Sequence, residues 1–575
     1  MSGTPGSRAA RRALAFLAAI GLLVGAEAAL RAKWGPPSKE PVWGEFGIYY
    51  EDIYKKFFRL TLSRSWEPVY VSNRERAVPQ EFPALKETGA FRVFVVGGSV
   101  AMEFGYDDPT RLKEFFARSL PGRSIEVIGC GMGGYDSFRD ALVQREVLDH
   151  RPDAIVLLSG NNEYYTPETT NAGLYRLKNR LRRLWLFRWP LDRLSPPRPA
   201  LAPTLSERLA SFEKNLTLMA RRARERKVPM IFCTLPANIR DMPPLRSRPR
   251  WNSSGYLDAW NAFDAGDDRL ASVEFERYVS AHPDDPSGHY WLAKLLDRRG
   301  LYSRAREHYS RAVDLDDPGE RCSPARNDVI RRVARKNGMI VADLAKEFES
   351  VAEEGIPGGR IFADQVHWRQ EYYPFVSSVI LRSIDEAVRS GNPYLPPPVA
   401  WDWRWLDSLG PRLPRPPISR QMQDRYGDEA VYKGMTYAML APGTIEEGAI
   451  SSFEREAARD PARLDFLTAS IENLRPGLEA YPWFRVYEGQ LEEGWTAIRV
   501  HVGETYRRRK DYGRALAYFD GVLRREPGLD LALLLKAKTL ASMGRMREAK
   551  TCLSRLSPGA RGLPQFAYWL RRLGD

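Results

Sequence analysis

Cysteine is scarce, with four residues in a chain of 575: Cys130, Cys233, Cys322 and Cys552. None sits in a C-x-x-C pair, so neither a zinc site nor a disulfide framework is indicated, and the expectation is no metal and no cofactor. Cys130 and Cys233 lie in apolar runs and read as small core residues. A long Lys/Arg block is also lacking, as is any nucleic-acid motif. The net charge of +14 is spread among interspersed acids and bases. That pattern suits an anionic surface or polymer nearby and excludes sequence-specific nucleic-acid reading as the first expectation. At the strand exit Gly97-Gly98-Ser99 neither G-x-x-x-x-G-K-[ST] nor G-x-G-x-x-G fits, so a phosphate cradle fails there.

What is present begins at the N-terminus. Arg8, Arg11 and Arg12 precede the apolar stretch Ala13 to Leu30. Such a run, about 18 residues long, is near the lower limit for spanning a bilayer. Residues 1–33 therefore read as a signal-anchor, with the arginines holding the N-terminus in the cytoplasm and the remainder on the extracytoplasmic, periplasmic side. Ala26-Glu27-Ala28 also fits a small-x-small cleavage site, so secretion after signal cleavage stays open.

Residues 34–88 show little periodicity and read as a connector. From 89 to 390, short β-rich runs alternate with helical stretches. The runs 92–98, 124–131, 153–161, 228–236 and 338–344 are continuously apolar, the mark of parallel strands buried on both faces. The expected fold class is α/β, a three-layer α/β/α parallel-sheet domain. Into it, at 252–318, a 34-residue repeat is inserted: Gly266, Ala271 and Phe275 recur as Gly300, Ala305 and Tyr309. This spacing resembles the tetratricopeptide (TPR) helical hairpin. A Pro-rich linker, 391–429, leads to residues 430–575, where the signature returns at Gly503, Tyr506, Ala515, Phe519, Gly544 and Ala549. The segment 174–189 alternates Arg and Lys with Leu, Trp and Phe. It suits a membrane surface, a lid or an ordinary packing helix.

Ligand sites in parallel sheets lie at the carboxyl ends of strands. There the sequence offers Ser99, the glycine-rich 128–137, Ser159 to Tyr165, and Asp364 with His367. These are the parts of acyl transfer. A serine hydroxyl needs a base, a neutral imidazole is a suitable one, and the imidazole needs an orienting carboxylate. A glycine N–H and an asparagine amide can receive an oxyanion. Asp364 and His367 are three apart, so one turn can set the carboxylate against the ring. His367 is the histidine of the six that follows the last strand with an aspartate three residues earlier.

In their order, these blocks resemble the SGNH (GDSL-type) hydrolase superfamily. Gly97-Gly98-Ser99 stands for G-D-S, Gly129 to Gly134 for N-x-G-x-x-G, Gly160 to Glu163 for G-x-N-D, and Asp364 to His367 for D-x-x-H. The resemblance implies a serine esterase. Ser99 would be the nucleophile, His367 the base and Asp364 its partner. The oxyanion would be held by Ser99 N–H, Gly134 N–H and the Asn162 side chain. Gly98, Gly129 and Glu163 depart from the pattern and leave the support of those loops open. An ester-bearing substrate follows from the resemblance, with O-acyl groups on an envelope polysaccharide suggested by export and basic charge. An O-acyltransferase uses the same parts. The rival class is an SGNH-like scaffold without activity, whose TPR repeats bind a protein partner.

Overall fold

The computed structural model describes residues 5–36, 56–74, 77–107, 109–163, 181, 183–188, 204–244, 250, 252–316, 319–409, 420–439, 444–469 and 494–574. The chain divides into two units, one from residues 1–56 and 165–211, the other from 57–164 and 212–575.

In the first unit a helix runs from Pro5 to Trp34, and its part Ala13–Trp34 is long and apolar enough to cross a membrane. Near its C-terminal end Trp185 Nε1 donates to Gly35 O at 2.7 Å, and the Trp34 and Trp185 rings meet edge to face at 5.5 Å. Leu186 N donates to the Glu27 carboxylate at 3.1 Å. The described part of the basic-aromatic segment, 181 and 183–188, thus packs on this helix; 174–180, 182 and 189 lie outside the described residues.

The second unit is built on a five-stranded parallel sheet. Its strands are β4 (Phe91–Gly97), β5 (Ile125–Gly131), β6 (Ala154–Leu158), β7 (Met230–Cys233) and β8 (Ile340–Ala342), one at each apolar run singled out above, in the order β5-β4-β6-β7-β8. All residues of β4, β6 and β7 are buried. Because successive side chains point to opposite faces, burial of every residue requires cover on both, which gives the three layers. Cys130 and Cys233 are buried in β5 and β7 as expected.

Two stretches differ from their sequence reading. Residues 34–88 are not all connector: β1 (Phe58–Leu62), β2 (Pro68–Ser72) and β3 (Glu81–Pro83) form an antiparallel sheet. Its strands are too short, and its exposure too irregular, for alternation to show. Phe58 and Phe82 are buried against Phe94 of β4 and His150. The Pro-rich 391–409 is likewise packed. Trp401 and Trp403 stack at 4.8 Å, and Trp401 meets Phe91 at 5.8 Å. Its prolines fix φ and remove N–H donors, but its tryptophans bury apolar surface.

The helical regions form as antiparallel hairpins. The insertion contains Ser254–Asp264 with Asp268–Ala281 and Pro286–Arg298 with Tyr302–Leu315. Ala271, Phe275, Ala305 and Tyr309 are fully buried. The C-terminal hairpins are Arg420–Met439 with Glu447–Arg459, Trp495–Arg508 with Tyr512–Arg525, and Asp530–Ser542 with Met546–Ser554. A Cβ on Gly503 would meet the Phe519 ring at 2.7 Å, and one on Gly434 the Phe453 ring at 2.7 Å. The small residue lets an aromatic ring seat against the helix backbone, which is the packing the repeat pattern encodes. The C-terminal helices start at Arg420, inside the stretch read as linker.

Candidate active site

The strand exits converge. A Cβ on Gly97 would collide with Leu158 O, so β4 and β6 approach too closely there for any side chain. Gly98 follows, and Ser99 opens the helix Ser99–Asp107. A Cβ on Gly98 would meet Asn162 Nδ2 at 2.8 Å and Tyr135 O at 3.1 Å. Asn162 Nδ2 itself donates to Tyr135 O at 3.0 Å. Gly134, beside Tyr135, is held at φ 71°, a left-handed conformation that favours glycine. The loops carrying Ser99, Gly134 and Asn162 therefore meet at one place.

The three departures from the G-D-S, N-x-G-x-x-G and G-x-N-D patterns have local explanations. Asn162 fills the space that a side chain at 98 would need. Gly129 is held by Gln80, whose amide oxygen accepts from Gly129 N at 2.7 Å and whose amide nitrogen donates to Gly129 O at 2.6 Å. Glu163 accepts from Ser137 N at 2.9 Å and Ser137 Oγ at 2.7 Å, tying the third strand exit to the second. Burial, and then the nearby Asp136 carboxylate, push Glu163 up to about 7.

Asp364 and His367 lie farther along than a strand exit. A helix, Leu344–Val351, intervenes after β8. The loop is pinned by Asn238, which donates from Nδ2 to Asp364 O at 3.1 Å and from its backbone N to Gln365 O at 2.9 Å. The Asp/His geometry is a side-chain turn rather than a helical one. Asp364 Oδ1 accepts from Val366 N at 2.9 Å and His367 N at 2.8 Å, while Oδ2 receives His367 Nδ1 at 2.7 Å. With Nδ1 so engaged, Nε2 is left for chemistry.

His367 Nε2 lies 3.6 Å from the Glu103 carboxylate and makes no hydrogen bond among the described residues. Glu103 is four residues after Ser99, on the same face of the same helix. Nε2 therefore faces the helix that Ser99 opens, although no hydrogen bond joins Ser99 Oγ to it. Such bonds are often long in a free site and tighten with substrate.

Burial alone would lower the His367 pKa. The Asp364 and Glu103 carboxylates outweigh it and raise the ring to about 9. Burial would raise Asp364, but the charges of His367 and Lys433 hold it well below the usual carboxylate range. Lys433 comes from the C-terminal helix Arg420–Met439, and its Nζ donates to Asp364 Oδ2 at 2.6 Å. One turn on, Tyr437 Oη donates to Gln365 Oε1 at 2.7 Å. Sequence reasoning missed Lys433, Glu103 and Gln80. For Glu103 the signal was its spacing of four from Ser99; for Lys433 and Gln80 there was no local signal.

A serine at a strand exit, an Asp–His pair turned toward its helix, and a glycine and an asparagine beside it stand together in an α/β domain joined to helical repeats. The tetratricopeptide repeat family matches residues 506–573. No curated protein matches the chain significantly. Among solved structures it is similar to a GDSL-like lipase from Bacteroides thetaiotaomicron, at 14% identity and TM-score 0.27 over 53% of this chain and 93% of that one. It is also similar to a catalytic mutant of an acetylxylan esterase from Geobacillus stearothermophilus, at 13% identity and TM-score 0.26 over 54% and 98%. A lipase/acylhydrolase from Enterococcus faecalis matches at 16% identity and TM-score 0.22 over 51% and 95%.

Proposed function

We propose that the protein is a membrane-anchored serine esterase. Ser99 Oγ attacks an ester carbonyl while His367 Nε2 takes its proton. The oxyanion is received by the N–H groups of Ser99 and Gly134 and the Asn162 amide. Collapse expels the alcohol, protonated by His367, and water then releases the acyl group from Ser99 by the same route. Asp364 keeps the proton on Nδ1 and stabilises the imidazolium. The observation that carries this reading is the 2.7 Å Asp364–His367 bond, with Nε2 turned to the Ser99 helix. The helix Ala13–Trp34 supports anchoring, with the site on the extracytoplasmic side. There, O-acyl groups on an anionic envelope polysaccharide suit the net charge of +14.

The test is hydrolysis of a chromogenic acetyl ester by the full chain in detergent. Ser99→Ala should lower kcat/KM by at least about a thousandfold, the scale on which removal of a nucleophile acts in comparable triads. Equal turnover by wild type and variant would overturn the reading and leave the repeat scaffold in its place.

A further inference from the structure

The D-x-x-H loop is held from two directions. Asn238, in the loop after β7, takes its backbone. From the other side comes the C-terminal helix Arg420–Met439, whose Lys433 and Tyr437, four apart and so on one face, reach Asp364 and Gln365. Asp364 thereby accepts four donors, two backbone N–H groups on Oδ1 and two cationic or ring donors on Oδ2. Both partners of the Lys433 pair are largely withdrawn from solvent, at 17% and 3% exposure, so the contact is far less screened than a surface pair.

The contact is not isolated. The next helix, Glu447–Arg459, also reaches the catalytic domain: Ser451 Oγ donates to Asp241 O, and Asp241 in turn accepts from Gly359 N at 2.8 Å, at the start of the same loop. A Cβ on Gly359 would collide with the Arg455 guanidinium. The helices Arg420–Met439 and Glu447–Arg459 thus meet the loop that carries Asp364 and His367 both at Gly359 and at Asp364–Gln365.

We propose that Lys433 is a positioning residue of the acyl-transfer site, so that the C-terminal repeats complete the site rather than hang from it. The proposal rests on the reading of His367 as the base. Its physical content is a balance of charge. His367 faces two carboxylates, Asp364 at Nδ1 and Glu103 near Nε2, and both favour the imidazolium, which cannot take the Ser99 proton. Lys433 opposes them and pulls the ring back toward the neutral form. Tyr437 and, through Gln365, Glu320 also face the loop, the latter at 3.3 Å from Gln365 Nε2. Lys433 also occupies Asp364 Oδ2, which fixes the carboxylate plane and with it the direction of Nε2.

The experiment is a pH titration of the full chain carrying isotope-labelled histidine. The His367 resonance is identified by its loss in His367→Asn, and wild type, K433M and K433R are compared. K433M should move the His367 midpoint upward, and K433R should restore it. The rising limb of kcat/KM for the acetyl ester should move by the same interval, with activity at neutral pH falling about tenfold for every pH unit that the midpoint climbs. If K433M does not fold, K433Q is read the same way. An unchanged midpoint, with the rate either unaltered or lowered evenly at every pH, would overturn the proposal. If wild type hydrolyses no ester, the esterase reading falls, while the histidine titration still decides whether Lys433 sets the charge state of His367.

Discussion

The two helical-repeat regions share one architecture but meet the α/β domain differently. The inserted repeats brace the domain through Arg240. Its guanidinium pairs with Asp297 at 2.8 and 2.7 Å, and its carbonyl accepts from Tyr290 Oη at 3.2 Å. These contacts fix a loop after β7 and touch none of the candidate site residues. The C-terminal repeats instead place a cation on Asp364. A repeat hairpin buries its own small and aromatic residues, so its outer face is unconstrained by folding. On one region that face braces a loop, on the other it meets Asp364.

The two regions are also joined to each other. Asp264, at the end of the first inserted helix, holds its side chain, 3% exposed, between Arg507 and Lys538 of the C-terminal repeats, with Lys538 Nζ at 2.7 Å. Arg508 lies over the Trp260 ring at 5.3 Å and pairs with Glu447 at 2.6 Å. Burial would raise Asp264, yet Arg507 and Lys538 keep it below the usual carboxylate range.

Removing a partner from such a cluster leaves buried charge uncompensated, so Asp264→Ala should cost about 3–5 kcal/mol of stability. Thermal unfolding checks this. If the regions work as one body, they should melt together at a lower temperature; melting of the C-terminal repeats alone, with the insertion unmoved, would break the comparison. A smaller effect is expected at the site itself. Glu103→Gln removes a carboxylate that raises His367, so the rising limb of kcat/KM should move from about 9 toward neutral pH. Activity at pH 7 should gain up to about tenfold for every pH unit that the limb descends. A limb that stays put would mean that Glu103 does not act on Nε2. The smallest effect concerns stability and pH. Because the His367 pKa is raised on folding, its contribution is fully present below the unfolded value of 6.5 and is lost as pH rises through about 9. Wild type should therefore melt progressively lower between these values, as activity rises, and His367→Asn should flatten that slope.

Much of the frame could be read from residues in sequence. The parallel strands announce themselves because burial on both faces demands unbroken apolar runs, and the repeats because Gly, Ala and aromatic residues must recur at fixed offsets. Asp364 and His367 could be paired because a carboxylate three residues back can reach a ring locally. Lys433 could not be seen, since a lysine on a polar helix looks like any solvated charge until the fold brings it 69 positions back to Asp364. The β1–β2–β3 sheet was hidden for another reason. Its few core residues, Phe58 and Phe82 among them, take their cover from the neighbouring parallel sheet and leave too short a pattern within each strand.

Gly98 has a practical consequence for engineering. A designer writing the G-D-S pattern would place aspartate there, yet the Asn162 amide stands 2.8 Å from where its Cβ must go. A side chain at this position would displace the Asn162 amide and crowd Tyr135 O, so substitutions at 98, 135 and 162 are best designed as one set.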